Sequence, residues 1–253
     1  VKTARLTTKS HWQEAWADQP RARLPSPLVV GTRNMQRILR PAIRPGMRVL
    51  ELGCAPGKIL AWAAAALHAK VAGLDYSERG VDWSRRLFDA LGLVGDIRCE
   101  DALQTTFPAR SFDVVYSFGL IEHFADPRPI VRVHVNLAKP GGRVIVGIPN
   151  YGGIYGRLQR WFDPENLSLH NLDIMGVTAM ARLAPDDLSR TVRSYHAGRL
   201  SPWQISFERR LPRNAARAAH YLLNGVGLVQ PFDIAPLCPF LVLEITRAAD
   251  PAC

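Results

Sequence analysis

From Arg48 onward, short apolar runs alternate with longer stretches whose apolar residues recur at helical spacing. "RVLEL" is short enough for a strand and stops at a turn that contains glycine. "KILAWAAAALHA" is dominated by alanine, the strongest helix former, and predicts a helix. "KVAGLDY" predicts a second strand. "SERGVDWSRRLFDALG" predicts a second helix, with Ser77 as its N-cap and Gly92 as its stop. "GDIRCED" and "FDVVYSF" predict the third and fourth strands. "DPRPIVRVHVNLA" predicts a helix capped by Asp126, with proline in its first turn. "KPGG" is a turn, and "RVIVGIP" a fifth strand. Strand followed by helix, repeated, is the signature of βαβ units, so an α/β fold with a parallel sheet is expected.

The rhythm fails after Pro149. Residues 151–190 are rich in glycine, asparagine and aromatics, with no clean period, and are expected to pack over the sheet as an acceptor-covering insertion. "GVTAMARL" predicts a short helix and "TVRSYHA" a strand near the end of this stretch. Residues 191–253 then complete the sheet, with "PRNAARAAHYLLNG" as a helix and "FLVLEITR" as the closing strand. Residues 1–45 form a helical arm, and residues 46–150 the regular core. In "HWQEAWADQP", Trp12 and Trp16 lie four apart and share one helical face, which suits either core packing or a lid.

The chain has 253 residues, 47% of them hydrophobic, enough for one substantial core with appendages. No run of 18 apolar residues occurs, because His68 and Lys70 interrupt the most apolar stretch, so no membrane insertion or signal peptide is expected. The cysteines at 54, 99, 238 and 253 have no CxxC spacing. That argues against a zinc site or disulfide framework and for a reduced, cytoplasmic protein. The net charge of +10 is uneven: residues 1–50 hold ten Lys or Arg against two acids, while residues 51–150 balance at eleven of each. The basic arm fits nucleic acid, anionic lipid or an acidic substrate, or is simply the solvated face of an amphipathic helix bearing Arg33, Arg37 and Arg40.

Ligands of open α/β sheets bind at the carboxyl ends of the strands. The first such end is "VLELGCAPGK". Gly53 and Gly57 let backbone approach a ligand, and the following helix offers free N–H groups. The spacing is not G-x-G-x-x-G, and Glu51 just before the turn would repel a pyrophosphate while suiting an ammonium group. Asp75 ends the second strand, where an acid can accept two hydrogen bonds from a ribose diol, and Asp101 ends the third.

These features resemble the class I S-adenosylmethionine-dependent methyltransferases, over roughly Gly46 to Asn150. "VLELGCAPG" looks like that family's first motif, "GLDYS" like its acidic loop, and "CEDA" like its adenine-edge motif. "FDVVYSFGLIEHF" and "LAKPGGRVIVGIPN" look like its fourth and fifth strand regions, with the small-molecule enzymes as the nearest pattern. The resemblance implies a Rossmann-like, doubly wound, mostly parallel seven-stranded sheet with helices on both faces, an N-terminal helical lid and a covering insertion. It implies S-adenosylmethionine as cofactor. Gly53, Cys54, Ala55 and Gly57 would admit its methionine part beside Glu51, and Asp75 would hold the ribose. Tyr76 would lie on the adenine, with Asp101 and Ala102 at its amino edge, and Ser117 and Phe118 at the fourth strand's end would also bind the cofactor. Ala55 departs from the third glycine that many members carry.

The loop "SFGLIEHF" then falls beside the transferable methyl group. Histidine suits proton removal from a hydroxyl near neutral pH, so His123, with Glu122, is the candidate catalytic residue. Some related enzymes have E-x-x-E-H here and bind a divalent metal. Gly119 replaces the first of those acids, leaving at most a reduced set with His170, so no metal is expected. A purely structural role for the pair stays open. Trp12, Tyr151, Tyr155 and His170 are the candidate acceptor wall. The expected reaction moves a methyl group to O or N of a small organic acceptor, a secondary metabolite or quinone-like aromatic. Nucleic acid is a weaker alternative, because the D/N-P-P-Y/F motif of amino-methylating enzymes is replaced by "SFGL". An NAD enzyme would want the missing dinucleotide fingerprint, and a scaffold without a ligand would have no need of three acids in register, while a non-catalytic cofactor binder stays open.

Overall fold

The computed structural model describes residues 4–18 and 22–249. Seven strands form one sheet in the order β3-β2-β1-β4-β5-β7-β6. They are β1 (Arg48–Leu52), β2 (Lys70–Asp75), β3 (Gly95–Cys99), β4 (Phe112–Phe118), β5 (Ala138–Pro149), β6 (Ser189–Ala197) and β7 (Phe240–Arg247). The first five pair in parallel, while β7 runs antiparallel to both β5 and β6. The expected mostly parallel, seven-stranded sheet is therefore present. Chain order reverses at β1, which places the carboxyl ends of β1 and β4 side by side at the sheet's switch point.

Helices cover both faces. On one, α2 (Val30–Leu39), α3 (Lys58–Leu67) and α4 (Glu78–Ala90) pack Leu39, Leu60 and Leu87 against Val49, Val71 and Tyr116. On the other, α5 (Arg128–Leu137) and α8 (Val177–Ala181) pack Ile130, Val135 and Met180 against Leu50, Val115 and Leu243. Ser77 caps α4 by accepting from the Gly80 N–H at 3.2 Å, and Gly92 takes φ +61° beyond its end. Pro127 is the residue that flanks α5, and Asp126 assists from one position earlier by accepting from the Arg128 N–H at 3.1 Å. The "KPGG" turn is absorbed into β5: pairing slips between Phe112 opposite Ala138 and Val114 opposite Arg143, with Gly141 at φ +74°. The slip is a bulge, which needs a residue free to take positive φ.

The aperiodic stretch contains more helix than its pattern predicted. It forms α6 (Ile154–Phe162) and α7 (Pro164–Ser168), before α8. Tyr155 and Phe162 of α6 join Ile205, Phe207 and Ala216 of α9 (Arg213–Val229) in a small separate core. The arm carries α1 (Lys9–Ala15), capped by Thr8, whose hydroxyl accepts from the His11 N–H. Ahead of it an extended strap crosses the strand ends, with Arg5 bridging antiparallel to Phe124. No helix among the described residues is long and apolar enough to cross a membrane.

Candidate active site

The first turn is built by two left-handed glycines. Gly53 (φ +71°) and Gly57 (φ +76°) bracket it, and both Gly53 and Cys54 donate their N–H to the Leu74 carbonyl, at 2.8 and 2.9 Å. A methyl on Gly57 would stand 2.9 Å from Ser84, too close to fit without a shift, while one on Gly53 would stand 3.3 Å from the Leu120 side chain, tight but able to yield. Cys54 is buried beneath the turn, packed against Gly73.

Two buried carboxyls face this turn. Glu51 accepts from the Tyr116 hydroxyl at 3.0 Å. Burial pushes its pKa up to about 8, against the Tyr116 hydrogen bond, with the Asp75 charge adding to the rise. Asp75 accepts from the Ser77 N–H at 2.9 Å and the Ala55 N–H at 3.3 Å. Burial raises it to about 6 despite those bonds. Each oxygen keeps lone-pair capacity for a further donor. The pair is thus a buried acidic cradle in want of cationic or hydroxyl partners.

Asp101 caps the short helical turn at Ala102–Gln104, accepting from the Leu103 N–H at 3.0 Å. It also takes the Arg5 guanidinium at 2.5 Å. Arg5 lies 4.9 Å over the Tyr76 ring, so the strap closes the pocket edge at which the resemblance put adenine. A cavity of about 500 Å³ opens there, lined by Arg5, Tyr76, Cys99 and Asp101 among others. Arg5 was not foreseen; a single arginine ninety-six residues from its partner leaves no local signal.

The face occupied by each fourth-strand residue follows from register. Tyr116 pairs opposite Glu51 and shares its face. Ser117 points to the other face, fully buried, where its hydroxyl donates to Nε2 of His134 at 2.9 Å. Nδ1–H of His134 donates to the Ile130 carbonyl at 2.7 Å, and burial lowers its pKa to about 4, so the ring is neutral. The Ser117 side chain is accordingly a core contact and not a pocket residue. Phe118 lies on the pocket face, against Tyr116 and Phe240.

The loop after β4 is held from two sides. The strap clips it, with Leu6 N–H donating to the His123 carbonyl at 2.8 Å and Ala125 N–H to the Ala4 carbonyl at 2.9 Å. The insertion clips it again: Asn171 N–H donates to the Glu122 carbonyl at 2.7 Å, and its side-chain amide donates to the Phe124 and Ala125 carbonyls. Between these clips lie Glu122, His123 and His170, offering one ligand atom each within 4.8 Å of one another. Both Glu122 carboxyl oxygens are buried without a hydrogen-bond partner, and burial drives the group up to about 8. Nδ1–H of His123 donates to the Leu169 carbonyl at 2.9 Å, leaving Nε2 as an acceptor. Burial, reinforced by the charge of His170, lowers its pKa to about 3. Nδ1–H of His170 likewise donates to the Asn166 carbonyl.

Of the proposed acceptor wall, Trp12, Tyr151 and His170 do converge here. Trp12 meets the His123 ring edge-on at 5.1 Å, and Tyr151 meets His170 at 5.0 Å. Tyr155 does not: its hydroxyl donates to the Leu237 carbonyl and accepts from the Ser201 N–H, which fixes it inside the core shared by α6 and α9. A second cavity, of about 570 Å³, borders His170 and is lined by Leu6, Arg160, Leu167 and Asn171 among others.

A glycine turn and acids at three successive strand ends, beside the switch point of an open α/β sheet, make a site of the kind at which Rossmann-like proteins bind nucleoside ligands. Residues 50–146 match the methyltransferase domain family, so the chain carries an S-adenosylmethionine-dependent methyltransferase domain. It is similar to the ubiquinone biosynthesis O-methyltransferase of Coxiella burnetii, 26% identical over 195 residues, 77% of each chain. The enzyme of the same description from Neisseria meningitidis is 38% identical over 110 residues, 42% of this chain and 45% of that one. In fold it matches a Haemonchus contortus phosphoethanolamine N-methyltransferase 2 solved with S-adenosylhomocysteine, at TM-score 0.59 and 16% identity, covering 86% of this chain and 52% of that one.

Proposed function

We propose that this enzyme methylates a hydroxyl oxygen of a small aromatic acceptor with an apolar body, of the kind a quinone precursor presents. The observation that carries the proposal is the set of acceptor atoms at Glu122, His123 and His170. Two imidazoles whose Nδ1–H groups are engaged elsewhere keep free Nε2 lone pairs, beside an orphaned buried carboxyl that holds its proton up to about pH 8 and so can donate as well as accept. An acceptor hydroxyl supplies a donor to those lone pairs. The flanking Trp12 and Tyr151 rings suit a flat body, and relatives described as ubiquinone O-methyltransferases, aligned over three quarters of the chain, favour the same acceptor class.

In this proposal Glu51 takes the ammonium of the bound cofactor, Asp75 its ribose, and Asp101 the adenine amino edge once Arg5 withdraws. S-adenosylmethionine supplies a methyl group on a sulfonium, and in-line displacement leaves a neutral thioether. His123 is kept neutral by burial and, at a pKa of about 3, is too weak a base to take the proton beforehand, so it accepts it as the methyl group arrives and the acceptor oxygen turns acidic. The pocket loses one positive charge at sulfur as it gains one at the imidazole, so its total charge is unchanged across the step. Positioning and proton removal each contribute factors of about 10² or more. The test is radiolabelled methyl transfer to a panel holding a prenylated diphenol, phosphoethanolamine and an RNA transcript. Transfer to the diphenol is expected, lowered about 10²-fold or more in His123→Ala with S-adenosylhomocysteine affinity unchanged. Transfer to the amine or the RNA alone would overturn the proposal.

The orphaned Glu122 carboxyl also favours a second reading, in which Glu122, His123 and His170 hold a divalent cation, as a His₂-carboxylate set can. Calorimetric titration of zinc or magnesium into wild type and Glu122→Gln decides it: saturable binding lost in the variant supports the cation, and no heat in either excludes it.

A further inference from the structure

Helix α9 has two faces of opposite fate. Ala216 and Gly227 lie inward, with Ala219 and Leu223 packed on the small core under the insertion. Tyr221, Leu222 and Val229 point out, at 71%, 69% and 81% exposure. Asn224 ties the helix to the loop before α2, donating to the Leu28 carbonyl at 2.8 Å and accepting from the Val30 N–H at 2.9 Å. Leu28 (68% exposed) therefore lies beside the helix, while Phe232 (64%) follows its C-terminus. A contiguous group of large apolar side chains in water is uncommon on a protein that meets no surface.

The charges around this face have one sign. Helix α9 contains Arg213 and Arg217 and no acid. Residues 22–50, which include α2, hold six arginines and no acid. Arg33 is exposed one turn from Arg37. Asp233 is already neutralised by Arg37 at 3.0 Å and bound by the Gly198 N–H, and Glu208 faces His220 at 3.6 Å. A second copy docking by the same face would set arginine against arginine, which specific interfaces avoid. An apolar strip rimmed by arginine fits a surface whose interior is apolar and whose boundary is anionic.

We propose that α9, with Leu28 and Phe232, seats the enzyme on an anionic lipid bilayer as a peripheral, reversibly bound protein. Tyr221, Leu222 and Val229 enter the acyl boundary while Arg213 and Arg217 meet the headgroups. The inner face of the helix packs on α6 of the insertion, which leaves the opposite face free for the bilayer.

The test is co-sedimentation of the intact protein with vesicles of phosphatidylcholine, with and without phosphatidylglycerol, at low and high salt. Binding is expected only with the anionic lipid and should weaken with salt. At about fivefold per basic residue, Arg213→Gln/Arg217→Gln should weaken it about 25-fold. Leu222→Glu/Val229→Glu should abolish it, with S-adenosylhomocysteine binding and methyl transfer to a water-soluble acceptor unchanged. Those two readouts also separate failure of this proposal from failure of the acceptor assignment. Equal binding to neutral vesicles, or wild-type binding by the Glu variant, overturns it. So does a dimer in sedimentation velocity that the Glu variant dissolves, without vesicle binding.

Discussion

Glu51 gives the most quantitative test of the cofactor cradle. Without ligand its carboxyl is buried and titrates at about 8. At about pH 7 roughly nine molecules in ten then hold its proton, and an ammonium ligand must expel it, at a cost of about 1.4 kcal/mol or tenfold in affinity. S-adenosylhomocysteine affinity should therefore rise about tenfold per pH unit between about pH 6 and 7.5. The rise should level off above about pH 8, where the carboxyl is already ionised before the ligand arrives. Calorimetry at about pH 7 in two buffers of different ionisation enthalpy should register release of about 0.9 proton per ligand. Glu51→Gln should bind more weakly, with no rise below about pH 7.5 and no proton release. An affinity that is flat from about pH 6 to 7.5 in the wild type, with no buffer dependence, would refute the assignment of the ammonium to Glu51.

The other expectations are structural as well as functional. Asp75→Ala should remove most cofactor affinity, about tenfold or more for charge-assisted hydrogen bonds, and near-normal calorimetric binding would refute the ribose role. Gly57→Ala forces a methyl to 2.9 Å from Ser84 at φ +76°, and should lower unfolding stability by about 1–2 kcal/mol in a urea titration. Ser117→Ala should cost about 1 kcal/mol through His134 and leave the Michaelis constant for the cofactor unchanged; a raised constant would return Ser117 to the pocket. Burial holds Glu51 and Glu122 at about 8 in the folded protein, against an ordinary carboxyl value of 4.5. The folded protein thus holds extra protons in that window, and stability falls as pH rises through it. The depressed His123 and His134 oppose this only below the ordinary histidine value of 6.5, so ligand-free melting temperature should drop between about pH 6.5 and 8, less steeply in Glu122→Gln.

The strands, the glycine turn and the three acids were legible because each is a local pattern with a local cause. Alternation gave β1 to β5, and Glu51, Asp75 and Asp101 stand where strands end. Ser117 and Tyr155 were misplaced for a shared reason. Residue type and neighbourhood suggested a pocket, but which face a side chain takes depends on strand register and on partners far along the chain. Tyr116, one position from Ser117, is the residue that reaches Glu51. Helix α6 was missed because its apolar residues pack on α9, a partner some sixty residues away whose position no local period reveals.

The strap over the strand ends has a consequence for how the molecule breathes. Helix α1 buries none of its residues, and the Arg5–Asp101 pair is about a third exposed on each side. Its ties to the β4 loop are the two backbone hydrogen bonds that make up the Arg5–Phe124 bridge and the edge-on contact of Trp12 with His123. Such a segment opens at a free energy far below that of the sheet, as a cooperative unit of its own. In hydrogen exchange the amides of Leu6 and Ala125 should lose protection together, orders of magnitude faster than Leu50 in β1, while every strand stays closed. The same loop carries Glu122 and His123, so each opening also releases one side of the clamp on the candidate proton acceptor.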